Sequence, residues 1–158
     1  MKKYRLTEET TKVGNRTLYR IQALRDFGNV KEGDIGGYIE AEKNLIQDGN
    51  AWVSDDAWVY GNARVSDDAR VSGDSRVSGD ADIKTAGDIC SMSGFGSEYR
   101  TTTAFRTKNG DVHVSCGCFF GSLEEFCQRV ESTHGNNLYG REYKKMIEML
   151  KIHFEVEP

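Results

Sequence analysis

The sequence predicts a mixed β and α protein, in which a short triangular parallel β-helix of about two to three turns lies between a β cap and a ββαα module. Three observations predict this organisation: a six-residue repeat in the centre, a hairpin signal before it, and a hairpin signal followed by two amphipathic segments after it. The corresponding domains are residues 1–40 (hairpin cap), 41–90 (β-helix) and 91–158 (C-terminal module).

The repeat places an aliphatic residue at every sixth position. Alternate side chains of a strand point to opposite faces, so each aliphatic residue shares a face with the small residue two places before it. The Asp-Asp, Gly-Asn and Gly-Asp pairs between them suit corners, where these residues tolerate unusual backbone angles. Three hexads then form one turn, and turns stack about 4.8 Å apart. The aliphatic residues are Val53, Val59, Val65, Val71, Val77, Ile83 and Ile89.

Residues 18 apart lie above one another in such a coil, and this spacing pairs the outward side chains. The predicted columns are Trp52–Arg70–Asp88, Trp58–Arg76 and Arg64–Asp82. Ring–guanidinium and guanidinium–carboxylate contacts contribute roughly 0.5–1 kcal/mol each at exposed sites, so their main expected role is to stabilise the register. The candidate residues for contacts with a partner or ligand are Trp52, Trp58, Arg64, Arg70, Arg76 and Arg100.

Two hairpins are predicted outside the repeat. The segment Thr11–Phe27 turns near Gly14-Asn15 and is expected to cap the coil, whose open end would otherwise expose unpaired strand edges. After the repeat, Asn109-Gly110 joins two strand candidates, Tyr99–Lys108 and Asp111–Phe120. Asn-Gly between alternating strands is the strongest short hairpin signal.

Two helices complete the C-terminal module. Ser122 and Glu125 form a capping box at the start of the first helix, and Gly135 ends it. A second amphipathic stretch runs from about Leu138 to His153.

The cysteines suggest one candidate metal site. If Asp111–Phe120 is a single strand, Cys116 and Cys118 share its apolar face, and Cys127 and His134 lie on one side of the following helix. Cys116, Cys118, Cys127 and His134 would then form a structural zinc site. The alternative is that they are free thiols that pack as small apolar groups, because Cys-x-Cys is not the usual zinc spacing. No other cofactor is expected.

Composition excludes several classes of partner. The net charge is −4, so direct nucleic-acid binding is not expected. No apolar run approaches the length of a membrane span, and no apolar segment follows the Met-Lys-Lys start. We therefore expect a cytoplasmic protein without membrane contact.

Hexapeptide coils are common in acyltransferases, in which a coil histidine acts as the general base. All three histidines here, His113, His134 and His153, lie after the repeat. An acyltransferase is therefore a weak alternative, no catalytic residue is assigned, and the protein is expected not to be an enzyme.

Two long stretches resemble known proteins. RTLYRIQALRDFGNVKEGDIGGYIEAEKNLIQDGNAWVSDDAWVYGNARV is similar to small hexapeptide-repeat proteins of bacteriophages and prophages. GFGSEYRTTTAFRTKNGDVHVSCGCFFGSLEEFCQRVESTHG resembles a module of phage accessory proteins whose function the resemblance does not supply. The resemblance implies a left-handed β-helix and action inside an infected or lysogenic bacterial cell.

These features and the resemblance predict a non-enzymatic phage accessory protein that binds and blocks a host bacterial protein. An anti-CRISPR, or another anti-defence inhibitor, is a protein of this kind. One alternative is a homotrimeric sponge that holds a small nucleotide immune signal, with arginines on its phosphates. Another is a structural or assembly protein. Association into a homodimer or homotrimer is an expectation that follows from the resemblance alone.

Overall fold

The computed structural model describes residues 1–156 and shows a mixed β and α protein. The chain forms two compact units, Met1–Ala86 and a second one that begins at Gly87. The further division of the chain at residue 40 stays a prediction.

The first unit consists of three long strands and six two-residue strands. The long strands β1 and β2 form the antiparallel hairpin that the sequence predicted around Gly14-Asn15, with Val13 opposite Arg16. The strands are β1 (Tyr4–Val13), β2 (Arg16–Ala23), β3 (Ile35–Ile39), β4 (Trp52–Val53), β5 (Trp58–Val59), β6 (Arg64–Val65), β7 (Arg70–Val71), β8 (Arg76–Val77) and β9 (Asp82–Ile83).

The short strands stack in parallel one turn apart. β4 pairs with β7, β5 with β8 and β6 with β9, and each pair joins residues 18 apart, as the hexad repeat predicted. Backbone hydrogen bonds follow this register, as from Trp58 N to Ser75 O at 2.9 Å. The aliphatic residue of every short strand is fully buried. The hand of the coil stays a prediction.

The corners between short strands require unusual backbone angles. Asp55 and Asp67 adopt φ values of 55° and 56°, and Gly61, Gly73 and Gly79 occupy the equivalent positions. Asp and Gly tolerate this left-handed region better than branched residues do. The predicted role of the corner pairs is therefore confirmed.

The hairpin continues one ladder of the coil. The sheet order is β1-β2-β3-β5-β8, because β3 pairs antiparallel with β2 and parallel with β5. Arg20 fastens this join, since its guanidinium donates to the carbonyl oxygens of Gly36 and Asp55, both at 2.9 Å. The same group lies 4.2 Å from the ring centre of Tyr38.

Two fully buried polar residues satisfy backbone groups near the start of the coil. Lys3 Nζ donates to the carbonyl oxygen of Ala51 at 2.7 Å. Asn44 Nδ2 donates to the carbonyl oxygens of Gly61 and Ala63, while its Oδ1 accepts from two backbone N–H groups. Buried backbone carbonyls need such donors, because an unpaired polar group costs about 1–3 kcal/mol.

The second unit is an antiparallel sheet with two helices, and its sheet differs from the prediction. Four strands form it in the order β10-β11-β12-β13, where two were predicted. The predicted helices are confirmed, including the Ser122–Glu125 capping box and the Gly135 end. The elements are β10 (Ile89–Phe95), β11 (Arg100–Arg106), β12 (Val112–Cys116), β13 (Phe119–Ser122), α1 (Leu123–His134) and α2 (Leu138–His153).

Gly36 tests the close packing around the coil. A Cβ atom at Gly36 would lie 2.5 Å from the carbonyl oxygen of Val53 and 2.7 Å from the side chain of Ile21. In urea denaturation we expect Gly36→Ala to lower the free energy of unfolding by about 3 kcal/mol, the upper end of the usual cost of overpacking, because a backbone oxygen cannot move aside as a flexible side chain can. Gly73→Ala is the control: its Cβ meets nothing within 4 Å, and only its positive φ costs roughly 1 kcal/mol. Equal losses would contradict the packing explanation.

Lys3 makes stability depend on pH. Burial, helped by the charge of Arg25, lowers the pKa of Lys3 from 10.5 to about 8. Between these values the unfolded chain holds a proton that the folded protein has released, so stability rises with pH, by at most about 1.4 kcal/mol per unit. We expect urea midpoints measured from pH 7.5 to 9.5 to show this rise relative to Lys3→Met. The exposed variant Lys31→Met should keep the slope; if Lys3→Met kept it too, the assignment would be wrong.

Candidate functional site

The predicted contact residues of the coil interact mostly with one another and with the cap. The Arg76 guanidinium lies 3.8 Å from the ring centre of Trp58, which confirms that predicted contact. Arg70 donates to the Asn29 side chain. Arg64 is exposed beside Asp82 in the paired register, and the Asp82 carboxylate forms its ion pair with Lys84 at 3.7 Å.

Trp52 corrects the sequence prediction, which placed it outside as a contact residue. Its side chain is only 3% exposed, and it packs edge-to-face against Phe27 and Tyr4 at ring distances of 5.3 and 6.4 Å. The N-terminal segment covers this column, so Trp52 is a core residue. Asp88, the predicted third member of its column, forms an ion pair with Arg106 at 3.6 Å.

The Cys-Gly-Cys motif is a turn, and this corrects the predicted single strand Asp111–Phe120. Cys116 pairs with Phe119 across a two-residue hairpin loop, Gly117-Cys118, and Gly117 has a φ of 60°. A hairpin turn with glycine first and positive φ at that position matches type II′. The turn reverses the chain, so Cys116 is buried whereas Cys118 is exposed. The two thiols do not share a strand face.

The predicted zinc site is not assembled. Cys127 is half-buried against the core of the second unit, and the His134 ring stacks on Tyr143 at 5.8 Å. Within residues 1–156 no group of three or more His, Cys, Asp or Glu side chains is placed to hold a metal ion. Cys116, Cys118, Cys127 and His134 therefore do not form one donor set.

A cavity of about 230 Å³ lies beside this turn, and we call it the turn cavity. The start of β11, the β12–β13 turn and parts of α1 and α2 form its walls. It includes Arg100, Cys116, Cys118 and His134 from the predicted site residues. The lining residues are Arg100, Cys116, Cys118, Phe119, Phe126, Arg129, Val130, Thr133, His134 and Tyr143.

Hydrogen-bonding side chains surround Cys116, which lines the turn cavity. Thr102 Oγ1 donates to Cys116 Sγ at 3.3 Å, and the Tyr143 hydroxyl lies 3.8 Å from the same sulfur. Burial, together with Cys116, raises the pKa of Tyr143 to about 12. Tyr143 therefore stays protonated at neutral pH and supplies a hydroxyl rather than a phenolate.

The second unit also has an apolar groove of about 350 Å³, which we call the α2 groove. Its floor is apolar, and Arg141, Glu142 and Lys145 stand at its edge. The lining residues are Met92, Phe95, Leu138, Arg141, Glu142, Lys145, Met146 and Met149. The Glu142 carboxylate is engaged, since it accepts from the backbone N–H of Gly96 at 3.0 Å.

Sequence reasoning missed the α2 groove for a definable reason. The predicted stripe of α2 faces the core, and Tyr143, Met146, Ile147 and Leu150 are buried there as expected. The sequence also contains apolar residues outside this stripe, and these remain exposed. They are Leu138, Met149 and Ile152, at 58%, 57% and 77% exposure. This second apolar face on α2 is the sequence feature that could have indicated the groove.

Comparison with known proteins gives one partial relative. No family model matches the chain. Over 63 residues it is 40% identical to a protein of Escherichia coli K12 named as the uncharacterized acetyltransferase YdcK. The match covers 35% of this chain and 19% of that protein, so the chain spans about a fifth of the length of this curated relative.

The likeness supports a relation to hexapeptide-repeat proteins, and the relative's name weighs towards an enzyme, against the expectation from the sequence. The membrane question has a separate observation: in residues 1–156, neither helix combines the length and the apolar character that a bilayer crossing needs.

Thiol reactivity tests the geometry of the turn. Cys118 is exposed, whereas Cys116 is buried and hydrogen-bonded, so we expect Cys118 to react fastest with a disulfide reagent in the native protein. In absorbance-monitored labelling, Cys118→Ser should remove the fastest phase and Cys116→Ser should keep it. A fast phase that survived in Cys118→Ser would contradict the turn.

Proposed function

We propose that this protein is a non-enzymatic binding protein whose α2 groove holds an amphipathic segment of a partner protein. The observation that carries the proposal is the exposed apolar surface of the second unit. Leu138 and Met149 are more than half exposed, and Phe95 is 40% exposed beside them in the α2 groove. Exposed apolar residues that form one contiguous surface, unlike scattered ones, mark interaction sites.

The side chains of the groove suit a helical ligand. Met92, Met146 and Met149 contribute flexible thioethers, which adapt to the side chains of a bound helix. Helix-in-groove recognition buries apolar anchors at one-turn spacing. A cavity of about 350 Å³ has room for one or two large anchors.

The charge at the edge favours an acidic partner. The α2 sequence carries four Lys or Arg residues against two Glu, while the whole chain has a net charge of −4. Glu142 accepts from a backbone N–H and Lys145 pairs with Glu148, whereas Arg141 forms no ion pair in the part of the chain the structure describes. An apolar helix with acidic residues beside its anchors complements this surface.

The wider biological setting of the proposal comes from the sequence resemblance. In that setting the coil is left-handed, the protein is a phage accessory protein acting in the bacterial cytoplasm, and the partner is a host factor whose activity is blocked, as an anti-defence protein would do.

An acyltransferase is the second candidate, because the E. coli relative is named an acetyltransferase. The coil itself contains no histidine to act as a general base. A melting temperature raised by acetyl-coenzyme A, with acetyl transfer to an added amine, would favour the enzyme.

The docking prediction uses two apolar residues of similar exposure. We expect the immobilised protein to retain one bacterial protein at near-stoichiometric yield, and Leu138→Asp to reduce that yield at least tenfold, because a carboxylate in an apolar contact is desolvated and repels an acidic partner. Leu138 and Ile35 are 58% and 55% exposed, and Ile35 lies in the first unit, so Ile35→Asp should retain the same protein in full.

Two results would contradict this assignment. One is equal retention by the original protein, Leu138→Asp and Ile35→Asp. The other is that no bacterial protein is retained, whether the lysate comes from uninfected or phage-infected cells. Circular dichroism of each variant verifies the fold.

A further inference from the structure

The turn cavity carries two positive charges without a carboxylate partner. Within residues 1–156, neither Arg100 nor Arg129 forms an ion pair. Both are exposed at the cavity, in a chain whose acidic residues outnumber its basic ones, 25 to 21. Arginines that line a cavity while remaining unpaired are available to an external anion, since the guanidinium fork matches carboxylate and phosphate oxygens.

The backbone of the turn makes room for one of these arginines. A side chain on Gly117 would collide with the Arg100 guanidinium, so the missing Cβ permits Arg100 to lie against the turn. The same glycine has the positive φ that the turn needs. Gly117 thus serves both the backbone of the turn and the position of Arg100.

The remaining walls are mainly aromatic. The rings of Phe119 and Phe126 lie 5.3 Å apart, and Phe126 and Tyr143 meet edge-to-face at 5.7 Å. The Arg129 guanidinium lies 5.3 Å from the centre of the Phe119 ring, so a positive charge is adjacent to the aromatic wall. His134, stacked on Tyr143, adds a further nitrogen at the edge.

The volume limits the size of the ligand. At about 230 Å³ the cavity exceeds the roughly 150 Å³ that accommodates benzene and is smaller than the ~300–1,000 Å³ of drug-sized sites. Its walls therefore have room for one ring-sized group and one anionic group.

We propose that the turn cavity binds a small organic anion, with its carboxylate or phosphate monoester on Arg100 and Arg129 and a compact ring against Phe119. This site is separate from the α2 groove in its lining residues. The proposal does not depend on protein docking there.

Calorimetric titration of the full chain with four probes tests the proposal. Phenyl phosphate and benzoate each join a ring to an anion; inorganic phosphate lacks the ring, and phenol lacks the charge at neutral pH. We expect at least one of the first two to bind at one site, at least tenfold more tightly than inorganic phosphate and phenol. The tighter of the two identifies the head group.

Arginine variants locate the site. A guanidinium forms charge-assisted hydrogen bonds to an anion, so Arg100→Gln and Arg129→Gln should each weaken binding of the better probe at least tenfold. Arg5→Gln is the matched control, because Arg5 is exposed in the first unit and its guanidinium donates to Gln22. It should leave the affinity unchanged.

The proposal is overturned if neither phenyl phosphate nor benzoate binds up to millimolar concentration. It is also overturned if Arg100→Gln and Arg129→Gln bind the better probe as tightly as Arg5→Gln does. Both arginines are surface groups, so melting temperatures should stay near that of the original protein. The pair of variants keeps the test decisive if one of them folds poorly.

Discussion

The first unit depends on backbone hydrogen bonds between residues one turn apart. Each short strand has only two residues, too few to be stable alone, so its order comes from the strand above or below it. Where β5 has no earlier coil strand to pair with, β3 takes that place, and β2 then pairs with β3. The hairpin is thus part of the same ladder. Lys3, Asn44 and Trp52 are buried near the start of the coil. Lys3 and Asn44 donate hydrogen bonds to its backbone carbonyls, and Trp52 contributes buried apolar surface.

Most of the outward aromatic and arginine side chains of the coil already have partners within the first unit. Arg76 covers Trp58, Arg70 is held by Asn29, and Trp52 lies under the cap. The outward positions that looked available for a ligand mainly hold the coil in register. The repeat also contains no histidine. The observation that favours an enzyme is the partial likeness to YdcK.

In the second unit, α2 contributes to two surfaces of different character. Tyr143 lines the turn cavity, while the neighbouring Glu142 lines the α2 groove, and both contact the region of Gly96. A side chain at Gly96 would meet the Tyr143 ring, so the strand end and the helix are closely packed there. The two surfaces differ in their apolar walls: the turn cavity has two arginines beside aromatic rings, whereas the α2 groove is lined by three methionines. The two proposed sites, one for a small anion and one for a protein segment, therefore share α2 but differ in their lining residues.

Features that repeat or that depend on a few neighbouring residues could be predicted from the sequence. Val53 to Ile83 fixed the 18-residue register, Gly14-Asn15 and Asn109-Gly110 marked hairpins, and Ser122 with Glu125 began α1, because each signal acts within a few residues or recurs with a fixed period. Which surfaces are covered depends on tertiary contacts, which the sequence pattern does not show. The repeat predicted an outward Trp52, but a segment distant in sequence buries it. The turn at Gly117 interrupts the predicted strand, so Cys116 is buried whereas Cys118 is exposed. The turn cavity and the α2 groove arise from contacts between residues far apart in the chain, and periodicity carries no information about those.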